Sequence, residues 1–363
     1  MIERFLILDH EPPPADAERI IYCDGAGGTS FREGRDLDLS HWRPNRTPRR
    51  YQADTSTEIC FRFLDRPPEE VPWTLAVNNH LDVDGMLSVY TLVHSGHALA
   101  NRRTIVQAAE MGDFWSWGDP PAQRLFQGLT RLMNIRRGEG QPLHATYEEA
   151  FRRIPGLIAQ TDPDSAEIEA SLAPLRRGVE LVAAGTILRV PRDRYFAHYV
   201  IPRSVVGDRV EEATYVPKFN ERISARAILW PHARAHWDEQ RMCLVSAEAA
   251  DGWHHDLWYP GYLWADIVNR WMVWGLNYGD GMESYELDLP AFDSAIERLN
   301  AAETGAGKWM TGSRACPFSD AIQGQFPLAA RTLDSRGAAT PSTLEPETVA
   351  EVLGPVFADR DIL

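Results

Sequence analysis

The chain has 363 residues, of which 44% are hydrophobic and 25% charged, and its formal net charge is −15. These values are ordinary for a globular protein with two domains, or with one large domain and an appendage. The negative charge argues against a nucleic-acid partner. No apolar run reaches the length of a membrane span, so we expect no membrane partner.

Cysteine usage and the N-terminus favour a reducing compartment. The four cysteines are scattered without the spacing of a zinc knuckle, which argues against a disulfide framework. The first residues lack a basic stretch followed by a long apolar core, so no secretory signal is evident. We therefore expect a cytoplasmic protein, and the sequence leaves a homodimer open.

The first part of the chain alternates apolar runs with helical patterns. The predicted strands lie at residues 5–8, 19–23 and 73–77, and residues 37–45 are predicted as a further short strand that runs into a polar loop. The predicted helices lie at 54–64 and 86–99, and a further apolar element lies at 104–111. This alternation is typical of an α/β fold with a mainly parallel sheet flanked by helices. In such sheets, ligands bind beyond the carboxyl ends of the strands.

The rest of the chain predicts a helical stretch and then a β-rich region. Helical periodicity covers residues 122–135, 147–158 and 165–184. The β-rich runs lie at 186–190, 195–201, 242–247 and 285–289, and further helices are predicted at 262–274, 293–300 and 342–353. The predicted domains are a metal-binding α/β domain at 1–120, a helical connector at 121–185 and a smaller α+β substrate or cap domain at 186–363.

The metal-binding prediction rests on one cluster where a predicted strand meets a predicted helix. His80, Asp82 and Asp84 alternate directly after the run at 73–77, and residues two apart in extended chain point to the same side. Gly85 would let the chain turn sharply. Because burying unpaired charge is costly, we interpret the cluster as a metal or catalytic site. The alternative is that these acidic residues only cap the helix.

Other polar residues occupy similar positions along the first domain. Asp24, His41 and Asp113 are each predicted to lie at the end of a strand of this sheet, so we expect them to lie near the cluster at the sheet edge. The glycines at 25–28 suit a turn better than a phosphate-binding loop, because the lysine of a P-loop is missing. Arg43 and Arg46 belong to an arginine-rich stretch, which is either a solvated loop or a clamp for phosphate or carboxylate.

Two features of the predicted second domain are candidates for substrate binding. His255 follows a Gly-Trp pair in a predicted loop, and it is either an ordinary loop histidine or a general base or ligand. Lys308 follows Gly305 and Gly307, a spacing that is either a plain turn or a site for a compact ammonium group. Only one other lysine, Lys218, occurs in the chain.

Two local motifs resemble those of the DHH phosphoesterase superfamily. The run 80–85, with His80, Asp82, Asp84 and Gly85, is similar to the family motif of Asp or His followed by x-Asp-x-Asp-Gly. The run 40–45 is similar to Asp-His-His-x-x-Asn, with Ser40 and Trp42 in place of Asp and the second His. The two motifs also occur here in the reverse order. The resemblance covers roughly the first 120 residues.

The resemblance implies a Mn²⁺ or Mg²⁺ site with one or two ions. Its ligands would be drawn from five acidic residues and histidines: His80, Asp82, Asp84, Asp24 and His41. Asp113 is a sixth candidate ligand, from its predicted place at a strand end and not from the resemblance. Asn45 would join Arg43 and Arg46 in binding the substrate, and His41, His80 and Asp84 are the catalytic candidates.

We therefore expect a divalent-metal-dependent hydrolase acting on a phosphoester or a phosphorylated small molecule. The alternatives are a non-hydrolytic metal enzyme of specialised metabolism on the same scaffold and a catalytically degenerate scaffold that binds a nucleotide. The two substitutions in the Asp-His-His motif, Ser40 and Trp42, and the aromatic-rich second domain motivate the first of these alternatives.

Overall fold

A computed structural model of the chain describes residues 2, 4–8, 12–14, 17–68, 70, 72–278, 285–312 and 327–358. These residues form two compact units. The first unit runs up to Leu172 and also includes Phe219–Arg222 and Ala265–Arg270. The second unit comprises Ala173–Lys218, Ile223–Trp264 and the described chain from Trp271 onward. The second unit is about as long as the first, and the predicted boundary near residue 185 stays a prediction.

The first unit is built on a four-stranded parallel sheet with helices, which confirms the predicted α/β class. Its strands are β1 (Arg4–Ile7), β2 (Ile20–Cys23), β3 (Leu37–Leu39) and β4 (Leu75–Asn78). Its helices are α1 (Ser56–Asp65), α2 (Val83–Val93), α3 (Ser95–Ala100), α4 (Arg102–Phe114), α5 (Pro120–Gly138), α6 (Leu143–Ala159) and α7 (Ser165–Ser171). The strand order is β1-β4-β2-β3, and every pairing is parallel.

This order brings the carboxyl ends of β2, β3 and β4 to one edge of the sheet. The register pairs Tyr22 with both Asp38 and Val77, so the residues that follow the three strands start at similar heights. Alternate residues of β2 and β4 form an apolar core on one face of the sheet with Leu8 and Ala26: Ile20, Tyr22, Leu75 and Val77. The sheet edge is therefore a rigid support for the polar residues that follow it.

The second unit is built around a mixed six-stranded sheet. The described strands of this unit are β5 (Leu188–Pro191), β6 (Phe196–Ile201), β7 (Met242–Glu248), β8 (Trp253–Trp258), β9 (Leu276–Tyr278), β10 (Tyr285–Leu287), β11 (Lys308–Thr311) and β12 (Leu328–Leu333). The sheet order is β11-β12-β8-β7-β6-β5; β6 pairs with β7 in parallel, its other pairings are antiparallel, and β9 and β10 form a separate hairpin. Its helices are α8 (Ala173–Ala183), α9 (Arg203–Val206), α10 (Val210–Ala213), α11 (Pro231–Asp238), α12 (Pro290–Ala302) and α13 (Pro346–Phe357).

Three sequence-based predictions of local structure are wrong. The apolar element at 104–111 belongs to helix α4, so Asp113 lies in the last turn of a helix and does not follow a strand. The tryptophan-rich stretch 262–274 contains no helix, because the backbone N–H groups of Asp266, Val268 and Asn269 donate to distant acceptors. The predicted loop around His255 is strand β8.

Within the described ranges, no helix combines the length and the apolar character that passage through a bilayer requires.

Candidate metal centre

Six acidic and histidine side chains converge at the carboxyl edge of the parallel sheet. Asp24 follows β2, His41 follows β3, and His80 and Asp82 lie between β4 and α2. The other two come from helices: Asp84 from the first turn of α2 and Asp113 from the last turn of α4. The structure therefore brings together the six residues that the sequence had indicated as metal ligands, although their roles stay predictions.

The six side chains form two groups that share Asp24. In the first group, His41 Nε2 lies 3.5 Å from Asp24 Oδ1, 3.6 Å from Asp84 Oδ2 and 3.3 Å from Asp113 Oδ2. The four side chains of this group each offer one ligand atom, and these atoms all lie within 4.8 Å of one another. Such a set of one imidazole and three carboxylates could hold a divalent cation.

The second group lies on the other side of the same aspartate. His80 Nε2 lies 3.0 Å from Asp24 Oδ2 and 2.9 Å from Asp82 Oδ2. Asp24 thus presents Oδ1 to the first group and Oδ2 to the second. Its backbone lies in the left-handed region, with φ of 52°, which lets the chain turn as soon as β2 ends.

Hydrogen bonds determine which nitrogen of His41 faces the carboxylates. His41 Nδ1 lies 2.6 Å from the backbone oxygen of Asp54, and a carbonyl oxygen only accepts, so Nδ1 carries a proton. In the neutral ring, Nε2 then directs its lone pair toward the carboxylates. A histidine that donates its other N–H to a backbone carbonyl is a usual arrangement for metal ligands.

The N-terminus of α1 holds the carboxylate of Asp84. The backbone N–H of Ser56 donates to Asp84 Oδ2 at 2.7 Å, and that of Thr57 donates to Oδ1 at 2.8 Å. These are two of the N–H groups that have no acceptor inside their own helix, and the positive end of the helix dipole favours the charged carboxylate. Ser56 Oγ also donates to Asp24 Oδ1 at 2.6 Å, so the start of α1 orients two ligands.

The cluster after β4 has a different local geometry from the alternation that the sequence suggested. Asp82 is the N-cap of α2, and its Oδ1 accepts from the Gly85 N–H at 2.7 Å while Oδ2 faces His80. Asp84 is already inside the helix. The capping interpretation and the ligand interpretation therefore both apply to Asp82, because one carboxylate has two oxygens to offer.

Gly85 is needed for close approach and makes no sharp turn. It lies inside α2 and its φ is not positive. A Cβ atom at this position would lie 2.6 Å from Asn78 Nδ2, 2.8 Å from Asp82 Oδ1 and 3.0 Å from Asp24 Oδ2. The missing side chain is what allows α2 to approach the sheet edge with its ligands.

Burial and mutual repulsion shift the pKa values of the cluster. Burial and the charge of Asp24 raise the pKa of Asp84 to about 7. Burial and the charge of Asp84 raise the pKa of Asp113 well above its usual range. Burial alone would raise the pKa of Asp24, but the hydrogen bond and charge of His80 outweigh it and lower that pKa. Burial opposes the charged form of His80, but Asp82 and Asp24 raise its pKa well above the usual value.

These shifts have one common cause, which is excess negative charge in a buried space. The side chains of His41, Asp24 and Asp84 are fully buried, whereas that of His80 is 27% exposed. The raised pKa values of Asp84, Asp113 and His80 favour their protonated forms, which offset part of the charge of the four carboxylates. A divalent cation could replace those protons, since metal binding requires deprotonated ligands and releases protons.

The predicted substrate-binding residues of the first unit lie in the loop after β3. Arg43 Nη2 contacts the backbone oxygen of Ala265 at 3.5 Å and lies 3.5 Å from Asp266 Oδ1. Arg46 is exposed and donates to the backbone oxygen of Gly28 at 3.2 Å. Asn45 Oδ1 accepts from the Thr47 N–H at 2.8 Å, which makes the amide part of its own turn. Their role in substrate binding stays a prediction.

The two candidates from the second unit lie on its six-stranded sheet. His255 is 1% exposed, accepts from or donates to Ser246 Oγ at 2.8 Å and lies 3.0 Å from the backbone oxygen of Leu344. Burial lowers its pKa to about 4, which is typical of a satisfied core histidine. Lys308 is exposed and begins β11, so it lies on a strand and not in a phosphate-binding loop.

The two substitutions in the Asp-His-His motif have visible local consequences. Trp42 Nε1 donates to Asp24 Oδ1 at 2.9 Å, so an indole N–H contacts the aspartate that the two groups share. Ser40 Oγ accepts from the Trp42 backbone N–H at 3.0 Å and therefore shapes the loop. Position 42, where the DHH motif has its second histidine, thus contributes a neutral hydrogen-bond donor beside the carboxylate of Asp24.

Sequence reasoning missed a set of residues that support the ligands. The backbone carbonyl of Asp54 orients His41. Arg270 binds the carboxylates of Asp54 and Glu110. Asp54 directly precedes Thr55, which is the N-cap of α1, so Asp54 does not cap this helix. No local pattern could have indicated Arg270, because 216 residues separate it from Asp54.

A carboxyl near the centre provides a metal-independent test of the electrostatics. Asp38 lies on β3, and burial raises its pKa to about 7 against the charge of Arg46. The folded state then holds a proton that the unfolded state has lost, so this group lowers stability as pH rises from about 4 to 7. We expect Asp38→Asn to match the wild type near pH 4 and to exceed it at pH 8 by roughly 3–4 kcal/mol in the free energy of unfolding.

The measurement is urea unfolding of both proteins between pH 4 and pH 8. Asp36→Asn is a control for which the expected change in the free energy of unfolding at pH 8 has the opposite sign. Burial would raise the pKa of Asp36, but hydrogen bonds from Arg32 lower it, so Asp36 contributes stability above its unfolded pKa and the variant should lose stability at pH 8. An Asp38→Asn variant with no pH-dependent gain would contradict the assigned shift.

Comparison with known proteins places the chain in a family. A family model described as DUF6687, a family of unknown function, matches residues 11–194, a little over half of the chain. The match covers the six clustered side chains, but it shows no link to the DHH superfamily. No match was found among curated proteins. The chain belongs to DUF6687.

Proposed function

We propose that the protein is a divalent-metal-dependent hydrolase acting on a phosphoester or a phosphorylated small molecule. The observation that carries the proposal is the pair of ligand groups that share Asp24 at the carboxyl edge of the sheet. Two adjacent groups of this kind suit a site for two ions, an arrangement common in enzymes that cleave phosphoesters. The likeness of the runs 40–45 and 80–85 to DHH motifs supports the same chemistry, since both runs contribute to this one site.

The residues fit a hard divalent cation. The donor atoms are carboxylate oxygens and imidazole nitrogens, without sulfur, which favours Mn²⁺ or Mg²⁺ over softer metals. The Asp54 carbonyl keeps His41 in the tautomer that a ligand needs. The raised pKa values of Asp84 and Asp113 mark charge that a cation would stabilise.

Each of the two ligand groups would hold one ion. His41, Asp24, Asp84 and Asp113 would hold one ion, and His80, Asp24 and Asp82 would hold a second. A bound Mn²⁺ or Mg²⁺ supplies Lewis-acid polarisation of a phosphoryl oxygen and lowers the pKa of a water molecule.

His80 and the arginines would form the side of the site that meets the substrate. His80 has the most exposed side chain among the six, so it is the group that a substrate reaches first. Arg43 and Arg46 suit recognition of phosphate, because the guanidinium group matches its geometry. Asp84 is the candidate base, since two amides orient its carboxylate.

The test combines metal analysis with an Asp113→Asn variant. Burial and the charge of Asp84 raise the pKa of Asp113 well above its usual range, so asparagine resembles the neutral form that burial favours, and we expect the metal-free free energy of unfolding to change by less than about 1 kcal/mol. We also expect Mn²⁺ to raise the melting temperature of the wild type and to raise that of the variant far less. Activity with Mn²⁺ on a panel of phosphomonoesters, phosphodiesters and pyrophosphate would define the reaction.

The contact of Trp42 with Asp24 favours one alternative, a metal site without hydrolysis. The indole occupies the position where the DHH motif has a second imidazole, so the phosphate contact of that imidazole is missing. Mn²⁺ binding without turnover on any phosphoester of the panel would support this alternative. No divalent-metal effect on the wild type would overturn both proposals.

A further inference from the structure

Arg270 enters the first unit from a distant part of the sequence. The segment Ala265–Arg270 belongs to the first unit, while the chain on both sides of it belongs to the second. The segment contacts the first ligand group directly, because the Asp266 N–H donates to the backbone oxygen of His41 at 2.8 Å. It lies outside residues 11–194, which the family model matches.

The segment binds the residue that orients His41. Asp54 Oδ1 accepts from the backbone N–H groups of Val268 at 2.7 Å and Asn269 at 3.0 Å, and Asp54 Oδ2 accepts from Arg270 Nη1 at 2.9 Å. The backbone oxygen of the same Asp54 accepts from His41 Nδ1. The position of that carbonyl, and hence the ring of His41, therefore depends on the segment.

Arg270 also contacts the helix that carries Asp113. Its Nη2 donates to Glu110 Oε1 at 2.6 Å, and its guanidinium carbon lies 5.0 Å from the ring centroid of Phe114. Glu110 and Asp113 are three residues apart on α4 and so lie on one side of the helix. With a side chain only 8% exposed, Arg270 pairs two carboxylates out of water, where charge-assisted hydrogen bonds are strong and depend on geometry.

We propose that Arg270 is a positioning residue of the metal centre. Through Asp54 it fixes the ring of His41, and through Glu110 it fixes the end of α4 that presents Asp113. The inference rests on the proposed function for its meaning, but the contacts that carry it are independent of any bound ion. Losing a partner that orients a metal ligand typically weakens metal binding by about 10- to 100-fold.

The test compares Arg270→Met with a matched control, Arg153→Met, in the full-length chain. Arg153 pairs Asp162 at 2.6 and 2.9 Å and Asp164 at 2.7 Å with a side chain 20% exposed, so its loss removes similar ion pairs elsewhere in the first unit. The readouts are the Mn²⁺ dissociation constant by titration calorimetry and, without metal, the solvent exchange of the His41 Nδ1–H proton that donates to the Asp54 carbonyl, whose resonance is assigned by its loss in His41→Gln.

We expect Arg270→Met to weaken Mn²⁺ binding by about 10- to 100-fold and to speed solvent exchange of the His41 Nδ1–H proton, because the Asp54 carbonyl that accepts this proton is no longer held in place. Arg270→Lys should restore part of both, and Arg153→Met should change neither. Glu110→Gln is a milder variant for the case that Arg270→Met does not fold, with a smaller change in the same direction. Wild-type affinity and proton exchange in Arg270→Met, or in Glu110→Gln where only that variant folds, would overturn the inference. A wild type that binds no Mn²⁺ would overturn the proposed function instead, and the exchange of the His41 proton would still decide the role of Arg270.

Discussion

An Asp24→Asn variant is expected to lose Mn²⁺ binding at both ligand groups together and to lower metal-dependent activity by about three orders of magnitude. A drop of that size corresponds to about 4 kcal/mol, within the several kcal/mol that a bound metal contributes to a transition state. The reason is that Asp24 alone belongs to both groups, with Oδ1 facing His41 and Oδ2 facing His80.

Asparagine is the substitution that isolates the charge. The backbone of Asp24 has a φ of 52°, and asparagine adopts this left-handed conformation more readily than most residues. An amide oxygen in the place of Oδ1 can still accept both hydrogen bonds that Ser56 Oγ and Trp42 Nε1 now donate. Calorimetric titration with Mn²⁺ measures the affinity, and initial rates on the best substrate of the phosphoester panel measure activity.

Asp36→Asn is the matched control for Asp24→Asn. Asp36 is a buried carboxylate that accepts from the backbone N–H of Ile20 at 3.2 Å, at the opposite end of β2. Its loss should cost stability but leave Mn²⁺ affinity unchanged. If Asp24→Asn kept one full-strength Mn²⁺ site, the sharing of Asp24 by the two groups would be wrong.

A Gly85→Ala variant is expected to disrupt the centre without removing any of its ligands. The added Cβ would lie under 3.0 Å from Asn78 Nδ2 and Asp82 Oδ1 and at 3.0 Å from Asp24 Oδ2, so helix α2 or the ligands must shift. Overpacking of this kind costs about 1–3 kcal/mol. We expect that loss in urea unfolding, together with a Mn²⁺ affinity reduced at least as much as in Arg270→Met.

Gly96→Ala gives the opposite expectation for the same substitution. Gly96 lies in helix α3, and a Cβ there would meet no atom within 4 Å. Alanine is the better helix former, so stability should stay equal or rise by up to about 1 kcal/mol. If Gly85→Ala and Gly96→Ala had the same stability and the same Mn²⁺ affinity, the close approach at Gly85 would not be what the geometry of the metal centre requires.

Local sequence pattern was sufficient for the strands and the first ligands. Each of β2, β3 and β4 is a short apolar run that ends at a polar residue, and parallel strands bring their carboxyl ends to one edge. Asp24, His41 and His80 could therefore be predicted together. The same information predicted helix α1 but not that its first two N–H groups bind Asp84.

Pattern failed where a segment satisfies its hydrogen bonds far away in the chain. The stretch 262–274 has the apolar spacing of a helix, yet the N–H groups of Val268 and Asn269 donate to Asp54. Asp113 was expected after a strand, and it is the end of α4 that carries it. Periodicity describes the neighbours within a few residues, and it contains nothing about acceptors on other elements.

By itself, the sequence determined the class of fold and the residue types available for a metal, because strand period, helix period and ligand chemistry are properties of neighbouring residues. Only the tertiary structure decided that Asp24 lies between two ligand groups, that Asp113 completes the first of them and that Arg270 supports His41. Those relations depend on how buried charges find partners once the sheet has formed. A buried carboxylate or guanidinium is stable only next to a partner, and that partner can come from anywhere in the chain.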